Sequence, residues 1–360
     1  MFWGAWAACL PAIQRATGAS ATEIGLALLT VAFGALPAML GAGRLADRFG
    51  ARLVPIGLVC FGFTAALPGL AHSVPMLVLF LFLVGLATGF LDIAINAQAS
   101  CLEAQYSIRI MDGLHAAFSG GVLVGGVGAG LLRRAGAHPS WILAGVAFIA
   151  ALTALANLGP VQPRLATAGS RQFMLAQPLL LVGFVLALAF LVESGMEGWS
   201  ALFLERTLGT SPAISGLGPG LFAGAMLTGR LLAQRLQRTS VVGRMLLAGV
   251  AAAVGAALVA TSQHAGLALL GFVVAGGGLA VSAPTLYGVA GRFGGKSGRG
   301  SALSTVAILG YLGFLVGPAL IGGVSGLTSL RGGFVFLCAV AVLLAVCSTL
   351  LRRVGDETRS

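Results

Sequence analysis

GFLDIAINAQAS, residues 89 to 100, places a carboxylate, Asp92, at the end of a run that is almost wholly apolar from Pro75 onward. Helical spacing puts Gly85, Gly89, Asp92, Asn96 and Ser100 on one face, a stripe of small and polar residues. An acid held out of bulk water is costly, and it normally faces a protein-lined or watered cavity. There it can take up a proton from one side of a membrane and release it to the other. Packing by a hydrogen bond to a neighbouring helix is the alternative role. A second segment, LVESGMEGWS, residues 191 to 200, sets Glu193 and Glu197 one turn apart with Ser200 following on the same side. No Lys or Arg lies in that helix. Glu197 is nearer the outer surface, where simple hydration is the competing reading. Asp92, Glu193 and Glu197 are the candidate proton-coupling residues.

Other polar side chains in apolar surroundings are candidates for a solute cavity. His115 and Ser119 share a helical face, and Trp199 can either stack on the apolar face of a sugar or sit at the membrane interface. GGGLAVSAPTLYG, residues 276 to 288, combines a run of three glycines and Pro284 with Ser282, Thr285 and Tyr287. Such a helix can bend and expose backbone carbonyls. With Asn96 these give the cavity set Asn96, His115, Ser119, Trp199, Ser282 and Tyr287. Other chemistries find no support. His72, His138 and His264 have no metal-ligand spacing, and Gly295-Lys296-Ser297 ends a phosphate-loop pattern whose first glycine is Ala290. No G-x-S-x-G element occurs, so neither an enzyme, a metal nor a cofactor is expected.

The elements that must position these residues are membrane spans. Of 360 residues 58% are hydrophobic and only 9% charged, against roughly a quarter charged in a soluble domain. Ionisable residues fall in gaps between twelve apolar stretches, near residues 1–13, 24–42, 53–71, 75–100, 114–132, 140–159, 178–204, 212–234, 243–260, 265–290, 301–325 and 333–351. Backbone groups in hydrocarbon must bond within their own segment, so each stretch is expected to be a helix. The net charge of +11 reflects topology and not a nucleic-acid partner. With the N-terminus inside, 16 of the 21 basic residues lie on the cytoplasmic side, whereas Arg15, Arg133, Arg134, Arg206 and Arg331 lie outside. Both termini are thus expected in the cytoplasm, in a plasma or inner membrane. The five cysteines have no paired spacing and read as free thiols. MFWGAWAACLPAIQ has no basic residue ahead of its core, so it does not read as a cleaved signal peptide. It is also short of a span, and about ten to fifteen residues are expected to precede Met1.

PVQPRLATAGSRQ, residues 160 to 172, divides the chain into six stretches and six. The expected organisation is a first bundle over 1–159, a cytoplasmic linker over 160–176 and a second bundle over 177–360. Gly43-Arg44-Leu45 is echoed by Gly229-Arg230-Leu231, and the glycines of residues 121–125 by those of 313–317, as in duplicated six-helix transporters.

GRLADRFGAR, residues 43 to 52, resembles the G-x-L-x-D-R-x-G-x-R cytoplasmic signature of the major facilitator superfamily and falls between the second and third stretches, as it does there. That resemblance implies an all-α membrane fold of twelve helices in two bundles rocking about a central cavity. It makes Gly43, Asp47, Arg48, Gly50 and Arg52 a cytoplasmic gate. Gly317-Pro318 with Gly322-Gly323 is similar to a glycine-proline pattern of the same superfamily. The fifth stretch reads GGVLVGGVGAG, with Gly126 where efflux members carry proline. GFLDIAINAQ resembles the fourth helix of fucose permease and its sugar-permease relatives, which implies Asp92 as the proton-binding acid and Asn96 as a cavity residue. The acid which that group carries on its first helix has no counterpart in FWGAWAACLPAIQ. The expectation is a monomeric proton-coupled transporter importing a sugar or another small polar solute, with protons, solute and the lipid bilayer as its partners. Proton-driven efflux of amphiphilic compounds and a non-transporting membrane sensor are the alternatives.

Overall fold

The computed structural model describes residues 1–49, 52–106, 110–158, 176–233, 239–293 and 295–352. Among them every regular element is helical. The first half holds α1 (Phe2–Thr17), α2 (Ala21–Phe49), α3 (Leu53–Ala66) extended by a tight turn (Leu67–Leu70), α4 (Val74–Tyr106), α5 (Met111–Arg134) and α6 (Pro139–Ala156). The second half holds α7 (Gln177–Gly198), α8 (Ser200–Arg206), α9 (Pro212–Ala233), α10 (Val241–Thr261), α11 (Ala265–Leu279), α12 (Ser282–Phe293), α13 (Gly295–Leu327) and α14 (Leu330–Ser348). The expected seventh segment is α7 with α8, interrupted at Trp199, and the tenth is α11 with α12. Ten spans among the described residues are long and apolar enough to cross a bilayer. The 16-residue α1 and the glycine-rich α9 pack among them and complete the two sets of six.

Helix ends follow local chemistry. Gly18, at φ 68°, closes α1 in the left-handed conformation. Ser20 and Glu23 then open α2 as a reciprocal capping box: the Ser20 N–H donates to the Glu23 carboxylate at 2.8 Å, and the Glu23 N–H donates to Ser20 Oγ at 3.2 Å. Ser240 and Ser329 accept from the Gly243 and Gly332 N–H groups and start α10 and α14.

Within the first half α2 packs on α4, α3 on α6 and α1 on α5; within the second, α7 packs on α13, and α10 on α11 and α14. The halves meet where α5 crosses α9 and α2 crosses α13. Both crossings depend on missing Cβ atoms. A Cβ on Gly216 of α9 would lie 2.6 Å from the Gly126 carbonyl oxygen and 2.7 Å from the Gly130 Cα of α5. A Cβ on Gly322 of α13 would lie 2.7 Å from the Ala21 carbonyl oxygen of α2. These contacts involve the later turns of α5 and α13 and the early turns of α9 and α2, so both lie toward one face of the membrane, the face that carries Arg133. Gly216→Val is expected to cost about 1–3 kcal/mol through overpacking of this seam. It should lower the melting temperature of the purified protein, and an unchanged melting temperature would contradict the seam.

Candidate translocation site

Helix length places the polar side chains in depth. Counting from the Arg133 face at 1.5 Å per residue, Asp92 lies about 27 Å along α4 and Arg230 about 27 Å along α9. On the same measure Ser119 lies about 22 Å from the end of α5, Tyr311 about 24 Å from the end of α13 and Glu193 about 20 Å from the end of α8. The Arg230 side chain leans back toward the start of its helix, as helical side chains do. Residues from five segments of both halves therefore lie in one layer about 20 to 27 Å from the Arg133 face, with Arg230 on the last turn of α9.

The contacts in that layer are specific. Asn96 Nδ2 donates to the Asp92 carbonyl oxygen at 2.8 Å and to Asp92 Oδ1 at 3.1 Å. Arg230 Nη1 donates to Ser119 Oγ across the two halves at 2.8 Å, and its Nη2 lies 4.0 Å from Glu193 Oε1. Tyr287 of α12 is within electrostatic range of Glu193 and Asp92, and Tyr311 of α13 is within range of Asp92, Tyr287 and Glu193. Glu197 interacts electrostatically with Glu193 and Arg230. The layer can hold a proton on a carboxylate, offer a guanidinium to an acceptor and hydrogen-bond a polar solute through Asn96, Ser119 and Tyr287.

The sequence expectations distribute unevenly over this layer. Asp92, Asn96, Ser119, Glu193 and Tyr287 belong to it, with Glu197 one turn toward the Arg133 face. Trp199 and Ser282 are fully enclosed between helices, and their Nε1 and Oγ atoms have no hydrogen-bond partner among the described residues. The His115 side chain lies outside the described residues. So do Gly50 and the side chains of Asp47 and Arg48 in the 43–52 motif; Gly43 belongs to the last turns of α2, and Arg52 is exposed just before α3. Gly85 and Gly89 turn out to be packing positions, closing α4 onto Val31 and Ala35 of α2. Arg230 and Tyr311 were missed. Glu193 and Glu197 lack a basic residue on their own helix, yet α9 brings Arg230 to them. The sequence signal at Arg230 is a charged residue inside the eighth apolar stretch, where topology and repeat symmetry account for it equally well.

A second polar cluster closes the Arg133 face. Glu205 of α8 accepts two hydrogen bonds from the Arg133 guanidinium of α5, at 2.9 and 3.0 Å, and pairs with Arg15 of α1 at 2.8 Å. Arg133 Nη1 also donates to the Ala8 carbonyl oxygen at 2.6 Å, and Ser215 Oγ donates to Glu205 at 3.1 Å. The Arg133 and Glu205 side chains are only 4% and 7% exposed. Partial burial pushes the Glu205 carboxyl up, but the hydrogen bonds and charges of Arg133 and then Arg15 outweigh it and hold the carboxyl below its ordinary value of 4.5. The cluster ties the first half to the second.

This architecture, two sets of helices tied together at one face with a polar layer between them, is that of a membrane transporter. The chain belongs to the Major Facilitator Superfamily, whose model matches residues 1–318. It is therefore a multi-pass membrane protein of a family of transporters and not an enzyme. It is 30% identical over 351 residues to an uncharacterized MFS-type transporter of Yersinia pestis, covering 96% of this chain and 90% of that one. It is 30% identical over 361 residues to the membrane protein MosC of Rhizobium meliloti, covering 97% and 86%. Among solved structures, a bacterial homolog of the human lysosomal transporter Spinster, in an inward-facing and occupied conformation, aligns with a TM-score of 0.74 at 16% identity, over 99% of this chain and 95% of that one. The nucleoside transporter NupG aligns with a TM-score of 0.71 at 15% identity, over 97% and 95%. At these identities the likeness is one of fold.

Proposed function

We propose that the protein is a proton-coupled secondary transporter that takes up a sugar or another small polar solute by alternating access between its two halves. The observation that carries the reading is the polar layer between the halves, in which Glu193 and Glu197 face Arg230 while Asp92 bonds Asn96 and lies within range of Tyr287 and Tyr311. An intramembrane acid is retained at a cost, and a proton relay is the usual return for it. Asp92 is assigned as the principal proton site, with Glu193 and Glu197 supporting it, and Asn96, Ser119 and Tyr287 as solute contacts. The likeness of GFLDIAINAQ to the sugar-permease fourth helix supports a polyhydroxylated solute. The charge asymmetry of the gaps supports cytoplasmic termini. On that orientation the Glu205 cluster is the outer seal, the described conformation is closed outside, and the end of α2 that carries Asp47 and Arg48 is part of the opposing cytoplasmic gate.

One observation favours the second reading, efflux of amphiphilic compounds. Phe190 packs on Tyr311 and Phe314 with ring centroids 6.2 and 6.3 Å apart, an aromatic wall beside the polar layer. Purified protein in proteoliposomes under an inward proton gradient separates the readings. Labelled sugar should accumulate above equilibrium, and a protonophore should collapse it. Accumulation that ignores the gradient rejects coupling, extrusion of an amphiphilic dye supports export, and absence of any flux supports a sensor.

A further inference from the structure

At the Arg133 face the two halves frame a cleft of about 510 Å³. Gln14, Arg15, Gly18 and Ala21 of the first half line it together with Arg206 and Leu330 of the second. Two guanidiniums thus share one cleft from opposite halves, and no carboxylate is among its described lining residues. The acids of this face are engaged elsewhere. Glu205 is 7% exposed, takes two hydrogen bonds from Arg133 and pairs with Arg15 at 2.8 Å. Glu23 accepts from the Ser20 N–H and hydroxyl, each at 2.8 Å, as part of the cap of α2. Arg206 is exposed and bonds the protein only through Nε, which donates to Gln14 Oε1 at 3.1 Å across the halves. Its two terminal nitrogens have no hydrogen-bond partner among the described residues. Arg15 is 48% exposed and engages Glu205 through one terminal nitrogen, and Gln14, its oxygen taken by Arg206, keeps its amide nitrogen as a further donor.

From this arrangement we infer that the cleft is a phosphate site bridging the two halves, in which Arg206, Arg15 and Gln14 donate to the phosphate oxygens. Charge and shape select phosphate over carboxylate. Within the cleft and the cluster joined to it, Arg15, Arg133 and Arg206 stand against Glu205, three positive charges against one negative. A phosphate monoester carries about −1.5 to −2 at neutral pH and matches that excess. An arginine fork suits either anion, but a planar carboxylate is filled by one fork, whereas tetrahedral phosphate oxygens can accept from two guanidiniums on different helices. Bound phosphate adds a link between α1 and α8 to the direct contacts of Arg15 with Glu205 and of Arg206 with Gln14, so it favours the conformation in which this face is closed. The phosphate can belong to a dissolved ion or ester or to a phospholipid headgroup. The diester of a headgroup carries a single charge and leaves part of the excess unmatched, which favours the dissolved form.

The test is thermal stabilisation of the purified protein by inorganic phosphate and by glycerophosphate, with sodium chloride of matched ionic strength as the control. Both phosphates should stabilise the parent protein with a saturating concentration dependence, and chloride should not. Arg206→Gln and Arg15→Gln should each weaken phosphate binding by about tenfold or more, because the site takes one guanidinium from each half. Arg206→Lys, which keeps the charge and loses the fork, should fall between the parent and Arg206→Gln. Arg15→Gln also removes a partner of Glu205; if it does not fold, Gln14→Ala takes its place as the first-half variant and should weaken binding too. Vesicles identify the source. A phosphate response that is equal in phosphatidylcholine and phosphatidylglycerol vesicles supports a dissolved ligand, and one abolished by phosphatidylglycerol supports a headgroup. Three results overturn the inference: no stabilisation beyond that of chloride, phosphate binding that survives in Arg206→Gln, or binding at parental strength in the first-half variant, which would put the site on one half alone. The measurement is of equilibrium binding, so its outcome is independent of whether and how a solute is moved.

Discussion

Asp92→Asn is expected to abolish accumulation driven by a pH gradient while leaving solute binding and counterflow intact. The expectation follows from position and chemistry. Asp92 lies about 27 Å along α4 in the same layer as Arg230 and Glu193. Asn96, one turn on, donates to its carboxylate and to its backbone oxygen, which holds the side chain in one orientation. With a proton on Asp92 the halves can close without burying its charge. With the proton gone, closure would trap an anion at a cost of several kcal/mol. Asparagine keeps the shape and the neutral state but cannot release a proton, so the halves continue to exchange bound solute without coupling. Counterflow at parental rate with no gradient-driven accumulation is the expected pair of results. Full gradient-driven accumulation in Asp92→Asn would make the acid structural and pass the coupling role to Glu193.

The other large effect is expected at Glu205. Replacing it by alanine leaves Arg133 buried beside the Ala8 carbonyl with its carboxylate partner removed. Breaking a buried pair in this way costs on the order of 3 kcal/mol, about two decades in an equilibrium constant. The cost falls on the conformation in which the Arg133 face is closed, so Glu205→Ala should shift the population toward the open one. Spin labels at Ala16 and Ser211, on either side of the seal, should report a longer distance in Glu205→Ala than in the parent. Equal distance distributions would show that the glycine crossings alone hold the face shut. The pH dependence has a definite sign. Because the Glu205 carboxyl is held below 4.5 in this conformation, its contribution is fully present above 4.5 and is lost as the pH falls through the depressed value. Acidification below 4.5 should therefore open the face in the parent and change nothing further in Glu205→Ala.

The fold was largely legible because the bilayer imposes it locally. Apolar runs of span length must be helices, and GRLADRFGAR identifies the superfamily through one contiguous motif. Asp92 and Glu193 stand out for the same reason, as acids where hydrocarbon requires apolar residues. What sequence reasoning missed is long-range pairing. Arg230 and Ser119 are 111 residues apart, and Arg133 and Glu205 are 72 apart, so no spacing rule relates them. Arg15, Arg133 and Arg206 were counted as topology-setting charges, although Arg15 and Arg133 converge on one glutamate and Arg206 reaches Gln14 of α1. Small residues were ambiguous too. Gly85 and Gly89 share a face with Asp92 and suggested access for solvent, whereas they close α4 onto α2. Glycine admits a helix backbone as readily as it admits water, and composition does not distinguish the two.

Proton coupling is tested most directly by recording the lumenal pH of proteoliposomes without any imposed gradient while a solute that binds the protein is added outside. Each solute molecule that enters should bring a proton with it, so the lumen should acidify in step with labelled solute uptake, and Asp92→Asn should take up the label by exchange with no acidification. Entry of the labelled solute into parental proteoliposomes at unchanged lumenal pH would contradict the account.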